Sequence, residues 1–400
     1  MKKNIPSLDK KITAELKLLA ILSHPRLNDL QALQALQASQ LINLIDFKVF
    51  QKLVNHHRVW SCVYCNLKEH LPFSLPEELR NELKIKYLKN IRKSQNQLNT
   101  CSQLLRSFKD NNVEAKVLKG LPLSFKLYGD ITKRHSSDLD LVINRKDLIA
   151  AHKVLNDLGF QSKEYEQLTN KQKKLYFISH KDIIYFNNTG LMLELHIKLS
   201  AFKIELTDHY IYSLFNEKLY TNDKHLELLY LCWHGIHTLF HRLKWVVDIA
   251  LYLEILDDQD LCHLINKAEE NNAMRVLTSS WVLCNILFDT PLNERISKFY
   301  QQDLISRILV SRSINQLNQP KSVDSLRFKI DRFCCEPIIY QNNVEKIASV
   351  IQKFKPTMLD FTSMPVLPTQ LFFLYYPLRP FLFLYRRLAN TEFFKSLKAK

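Results

Sequence analysis

Hydrophobic positions recur with a helical period through most of this chain, and a strand-like pattern takes over only in a stretch that begins near residue 112. Ile12, Leu16, Leu19 and Ala20, then Leu41, Leu44 and Ile45, are spaced to share helix faces. The Gln-Ala-Leu run over 31–38 is helix-prone but too short for a solenoid repeat. Asp46 precedes Phe47, Phe50, Leu53 and Val54 and reads as the N-cap of a new helix. Pro72 and Pro76 interrupt the pattern, and Glu77 to Phe108 then reads as one long helix. Asp110-Asn111-Asn112 is a turn out of it.

The period then shortens. Ala115-Lys116-Val117-Leu118 reads as an apolar strand, and Lys119-Gly120 closes it. Leu121 to Tyr128 reads as a helix with Pro122 in its first turn. Asp138-Leu139-Asp140-Leu141-Val142-Ile143 is a second strand, and Asn144 caps a helix from Arg145 to Leu158 that Gly159 stops. Phe160 onward and Tyr176 to Phe186 read as strands. Asn187-Asn188-Thr189-Gly190 is a hairpin turn, and Leu191 to Leu199 returns antiparallel carrying Glu194. Residues 225–254 read as one helix, and 273–352 as further helices with breaks at Pro291, Pro320 and Pro337. The fold class expected is α+β and helix-rich: an N-terminal helical domain (1–112), a small mixed-sheet core (113–200), a helical domain lining a cleft (201–330), and a helical, aromatic-basic tail (331–400).

Composition sharpens this. A hydrophobic fraction of 46% marks a globular chain. The chain holds five Gly, where average usage gives about 28. All of them (Gly120, Gly129, Gly159, Gly190 and Gly235) fall between 120 and 235, which places the specific backbone demands there. The net charge of +16 favours nucleotides, nucleic acid or an anionic membrane as partners, although most of these lysines read as solvated surface. The eight Cys read mostly as buried free thiols, the Cys62-x-x-Cys65 pair included, because no second pair is near and the local pattern is helical. No secretory signal and no apolar run of spanning length is evident, so a cytoplasmic location is expected.

The chemistry concentrates between Val113 and Ser200. Side chains alternate along a strand, so Asp138 and Asp140 point the same way. Neighbouring carboxylates repel unless a cation sits between them, and Mg²⁺ accepts hard oxygen ligands while keeping sites open for phosphate and water. A strand carrying Glu194 alongside would complete a set of three carboxylates able to hold two metals. Gly120 lets the backbone approach a ligand at a helix N-terminus, where free N–H groups and the dipole suit a phosphate. Lys119 and Arg134 add positive charge for a leaving pyrophosphate.

These residues resemble the uncharacterised nucleotidyltransferase family of the DNA polymerase β-like superfamily. The match runs through Leu118-Lys119-Gly120, Tyr128, Arg134, Asp138-Leu139-Asp140 and Glu194-Leu195-His196. One departure from the broader superfamily is that Leu121, rather than Gly or Ser, follows Gly120. The resemblance implies a nucleotidyltransferase whose Asp138, Asp140 and Glu194 are both catalytic and metal ligands, for Mg²⁺ or Mn²⁺. Its nucleotide, an NTP, would be bound by Lys119, Gly120, Arg134 and His196, with His237 and Arg242 from a later helix. The acceptor stays open between a small molecule such as a sugar, a protein hydroxyl and RNA. A non-catalytic nucleotide-binding or interaction protein that keeps the fold is the alternative.

Two further segments draw attention. His234, His237 and His241, at i, i+3 and i+7, share a face in a continuous helix, prolonged by Trp245 and Asp248. They read as a wall of the substrate cleft, as a zinc site, or as a packed helix face. The tail from Leu371 to Leu388 mixes aromatic residues with Arg379, Arg386 and Arg387. It reads as docked on the protein in preference to weak contact with an anionic membrane.

Overall fold

The computed structural model describes residues 11–25, 40–69, 75–173, 182–197, 224–323, 325–354, 360, 367 and 369–389. The run at 31–38, Pro72, the strand-like residues 176–181 and the basic C-terminal end lie outside them. The fold is helix-rich α+β with one four-stranded mixed sheet.

The N-terminal part is helical and well capped. Helix α1 (Ala14–Ser23) starts where the Thr13 hydroxyl accepts the Leu16 N–H. Helix α2 (Phe47–His57) starts at Asp46, whose carboxylate accepts the N–H groups of Lys48 at 2.7 Å and Val49 at 3.3 Å. It ends at Arg58, which adopts a left-handed conformation with φ 58°. Helix α3 (Trp60–Glu69) follows, then α4 (Glu77–Asp110), whose 34 residues span about 50 Å.

The sheet is built from β1 (Ala115–Leu118), β2 (Asp138–Ile143), β3 (Asp182–Phe186) and β4 (Met192–His196), in the order β1-β2-β4-β3. Strand β1 runs antiparallel to β2, β2 parallel to β4, and β3 antiparallel to β4 across the expected hairpin. Helix α5 (Gly120–Tyr128) connects β1 to the approach of β2, and α6 (Leu148–Asp157) follows β2 after a 3-10 turn at Arg145–Asp147.

The strand expected from Phe160 does not form. Gln161 makes a single bridge to Phe186, and a helical turn follows at Lys163–Glu166. Thr169 and Gln172 then close a reciprocal cap: the Gln172 side chain accepts the Thr169 N–H at 2.9 Å, and the Thr169 hydroxyl accepts the Gln172 N–H at 3.3 Å. That cap starts a helix rather than prolonging a strand.

The C-terminal half is a helical array: α7 (Lys224–His237), α8 (Leu243–Glu254), α9 (Asp258–Glu270), α10 (Met274–Phe288), α11 (Glu294–Gln302), α12 (Leu304–Asn318), α13 (Leu326–Ile339), α14 (Asn343–Gln352) and α15 (Tyr375–Ala389). The single helix expected over 225–254 is therefore two. The Phe240 N–H bonds back to the Gly235 carbonyl at 2.8 Å, and Leu239 and Phe240 take φ values of 51° and 48°. The turn folds the Phe240 ring onto Gly235, where a Cβ would stand 2.3 Å from a ring carbon. Pro337 likewise does not break the chain but sits inside α13. The carbonyl four residues earlier, on Phe333, which cannot bond to a proline nitrogen, accepts the Lys353 ammonium at 2.7 Å instead.

Two apolar cores result. One joins α1 to α3 and part of α4 and α5 with the C-terminal helices, through Leu19, Phe50, Leu123, Leu228, Tyr252 and Trp281. The other lies under the sheet, where Phe108, Leu141, Phe160, Tyr185 and Leu193 pack together with Phe372 and Tyr375 of the tail. The tail is thus docked through those two rings. Among the described residues no helix is long and apolar enough to cross a membrane.

Candidate active site

The parallel register of β2 and β4 sets Asp140 opposite Glu194. Alternation along each strand then turns Asp138 and Asp140, and Glu194 and His196, to one face of the sheet. Asp140 is buried, at 4% exposure, while Glu194 is partly open. The fully buried His196 ring lies behind them, with Nε2 3.1 Å from Asp140 and 3.5 Å from Glu194, and Nδ1 3.7 Å from Asp182 of β3.

The Lys119-Gly120 turn brings a cation to this cluster. Both residues take positive φ, 45° and 62°, a backbone that glycine adopts freely and lysine does not. The turn places the Lys119 ammonium 3.4 Å from Asp140 and starts α5 at Gly120. Tyr230 and His234 on α7 face the same groups: the Lys119 ammonium lies 6.0 Å from the Tyr230 ring centre, and His234 contributes to the potential at Asp140.

The electrostatics divide the two aspartates. Burial, then repulsion from Asp140 and Glu194, raises the Asp138 pKa. Burial also opposes ionisation of Asp140, but Lys119 and the hydrogen bond from His196 outweigh it and hold Asp140 below the usual carboxylate range. Burial pulls Lys119 down, yet Asp140, Tyr230, Asp138 and Glu194 together raise it.

The segment leading into β2 is held from several sides. Arg134 is buried and binds both carboxylate oxygens of Asp248 on α8, with Nε at 2.8 and 3.0 Å and a terminal nitrogen at 2.9 Å. The Tyr128 hydroxyl donates to the same carboxylate at 2.8 Å. Lys244 donates to the His135 carbonyl at 2.9 Å, Lys93 to the Ser137 carbonyl at 3.0 Å, and Gln97 to the Asp138 carbonyl at 3.2 Å. A buried polar stripe on α4 (Asn90, Ser94 and Gln97) faces this segment, with Asn90 donating to the Thr132 carbonyl at 2.6 Å.

The structure therefore brings Asp138, Asp140, Glu194, His196, Lys119 and Gly120 together. Arg134 stands beside them, committed to Asp248. His237 lies instead between Arg332 and Glu336 of α13, stacked on Trp233 at 4.7 Å. Arg242 precedes α8 and donates to the His56 carbonyl. His241 packs against His56 at 4.5 Å and Phe328 at 5.2 Å. The break after α7 separates His241 from His234 and His237, and among the described residues the three form no chelating set.

Sequence reasoning missed Arg58, Lys93, Lys244 and Tyr230, whereas His234, read from the sequence as part of a cleft wall, does face Asp140. The polar stripe on α4 was a usable signal: Asn90, Ser94 and Gln97 continue the face of Leu79 and Leu83, where apolar residues are expected.

Asp140, Glu194 and His196 have donor atoms within 4.8 Å of one another. Asp138, Asp140 and Glu194 form a mutually repelling carboxylate group with hard oxygen donors, which suits Mg²⁺ or Mn²⁺. A separate groove of about 600 Å³, lined by Ile330, Phe333, Phe354 and Pro380 among others, contains none of these groups. It is not the site of this chemistry.

No curated protein and no solved structure matches the chain significantly. A family model, described as uncharacterised nucleotidyltransferase, matches residues 43–289, a span that takes in the Lys119-Gly120 turn, all three carboxylates and the α7–α8 pair. That span is more than half of the chain, and with the carboxylate-bearing strands inside it the protein belongs to this uncharacterised nucleotidyltransferase family.

Proposed function

We propose that the protein transfers a nucleoside monophosphate from an NTP to an acceptor hydroxyl or phosphate and releases pyrophosphate. The observation that carries this reading is the convergence of Asp138, Asp140 and Glu194 on one sheet face beside the Lys119-Gly120 turn. In the transfer, an acceptor oxygen bonds to the α-phosphorus and the bond from that phosphorus to the β-bridging oxygen breaks. The electron pair leaves on pyrophosphate.

In this reading Asp138, Asp140 and Glu194 would hold the metal ions that the transfer uses. Bound Mg²⁺ or Mn²⁺ would supply Lewis-acid stabilisation of the phosphate charge and a more acidic acceptor hydroxyl. Glu194 is more open than Asp140, which suits a role in receiving the acceptor's proton. His196 fixes Asp140 and Glu194 from behind. Lys119 balances the charge of Asp140, and the N-terminal amides of α5 at Gly120 face the phosphates. Arg134 acts through Asp248, tying the segment before β2 to α8.

The test uses NTPs labelled at the α- or the γ-phosphate, with Mg²⁺ and a cell extract as the source of acceptors. Movement of the α label to an acceptor supports the reading, and the labelled fraction separates sugar, protein and RNA. Movement of the γ label alone would make the protein a phosphotransferase and overturn it.

A further inference from the structure

Two cations that the sequence pointed to for the nucleotide are already matched by carboxylates inside the protein. Lys119 lies against Asp140, and Arg134 is bound by Asp248. Four others are not matched. Among the described residues, Arg58, Lys93, Arg242 and Lys244 have no carboxylate within ion-pair distance. What contacts they make are with carbonyls: Lys93 with Ser137, Lys244 with His135, and Arg242 with His56.

Those contacts fix where the four stand. The carbonyls of His135 and Ser137 belong to the short segment leading into Asp138, so Lys244 and Lys93 hold it from α8 and from α4. Arg242 lies two residues before Lys244 and grips the carbonyl of His56, itself two residues before Arg58. The left-handed turn at Arg58 ends α2 at this point.

Arg58 opposes each of the other three. Burial and then the charge of Arg58 pull the Arg242 guanidinium down to about 10. Burial and then Arg134 pull Lys244 well below the ordinary lysine range; Asp138 and Asp248 only partly offset them, and Arg58 adds to the lowering. Burial lowers Lys93, and Asp138 only partly offsets it. Trp60, packed on the His135 ring at 4.8 Å, has a buried indole N–H with no acceptor. Gathering cations without a counter-charge is costly unless an anion completes the set. The single carboxylate common to the surroundings of Lys93 and Lys244 is Asp138, a member of the metal-binding group.

We propose that Arg58, Lys93, Arg242 and Lys244 form a polyphosphate subsite at the Asp138 end of the carboxylate group, which receives the β- and γ-phosphates of the nucleotide and from which pyrophosphate departs. This rests on the nucleotidyl-transfer reading and adds that α2 and α4, outside the sheet domain, complete the nucleotide site. A run of negative charges offers each of the four cations a counter-charge. The same cations could serve a phosphate monoester on the acceptor, and the test separates the two.

The experiment is calorimetric binding of inorganic tripolyphosphate to the full chain in EDTA, which removes any contribution through metal at the carboxylates. The wild type is expected to bind tripolyphosphate well above orthophosphate. Arg58→Gln and Lys93→Ala should each weaken binding roughly tenfold. Lys298→Ala, on the exposed face of α11, should leave it unchanged. Arg58→Lys tests the charge if Arg58→Gln folds poorly, and Lys93→Ala changes a half-exposed side chain whose loss α4 should tolerate. Undiminished tripolyphosphate binding in both variants would overturn the proposal, as would no binding by the wild type. Orthophosphate binding equal to tripolyphosphate would assign the cations to a single phosphate and overturn it too. The assay needs no turnover. Tripolyphosphate binding without α-label transfer would keep the subsite and refute the transfer reading, whereas transfer with unaffected variants would do the reverse.

Discussion

Arg134 and Asp248, 114 residues apart, form a buried two-pronged ion pair that ties the segment before β2 to helix α8. The carboxylate also accepts the Tyr128 hydroxyl, so three elements meet at one acid. Breaking one side of such a pair leaves the other charge buried and alone. Asp248→Leu and Arg134→Leu are each expected to cost about 3–5 kcal/mol of folding stability. The double replacement should cost much less than the sum, because neither charge is then orphaned. Chemical denaturation of the four proteins measures this, and strict additivity would contradict it.

Gly235 faces the ring of Phe240 so closely that a side chain cannot enter without moving it. Gly235→Ala should therefore destabilise the protein by about 1–3 kcal/mol by forcing the ring away. Phe240→Leu in the same chain should recover part of the loss. A thermal melt of Gly235→Ala that matches wild type would show that the ring moves freely.

His57 makes stability depend on acidity. Its Nε2 lies 2.9 Å from the Leu317 carbonyl, and its Nδ1 lies 3.1 Å from the Leu243 N–H, which must donate to it. The neutral Nε2–H form satisfies both, and a proton on Nδ1 would meet a donor. Burial, then the charge of His56, accordingly lowers the folded pKa from 6.5 to about 3. The unfolded chain takes up this proton below about pH 6.5 while the folded chain does not. The contribution is thus complete above pH 6.5 and is lost as pH falls from there toward 3. At pH 5 the loss is about 2 kcal/mol from this residue alone. His56 and His241, lowered to about 4 and about 3, act in the same direction. Denaturant midpoints at pH 7 and pH 5 should show the drop, and His57→Asn should show a smaller one. An equal drop in the variant would remove His57 from the account.

What was legible in the sequence was local. The Asp138–Ile143 alternation, the Lys119-Gly120 turn, the hairpin at 187–190, the long helix and the Asp46 cap each declare themselves within a few residues. What was not legible depends on distant partners. The break after α7 requires the Phe240 ring to find Gly235, and Leu239 and Phe240 carry no turn signal of their own. Arg134 looked available because Asp248 is far along the chain. Pro337 stays inside a helix because Lys353 supplies the donor that the proline denies to the Phe333 carbonyl. The Thr169–Gln172 cap is a local signal that the strand expectation from Phe160 left out.

The most direct test of the central claim is pyrophosphate release from each NTP with Mg²⁺ and a cell extract, comparing wild type with Asp140→Asn. Asparagine keeps the shape of a residue that sits between Lys119, His196 and Glu194 but removes its charge. The account predicts pyrophosphate from the wild type and a loss of about a hundredfold or more in the variant. Equal release by the variant would contradict it and would move the chemistry away from the β2–β4 carboxylates.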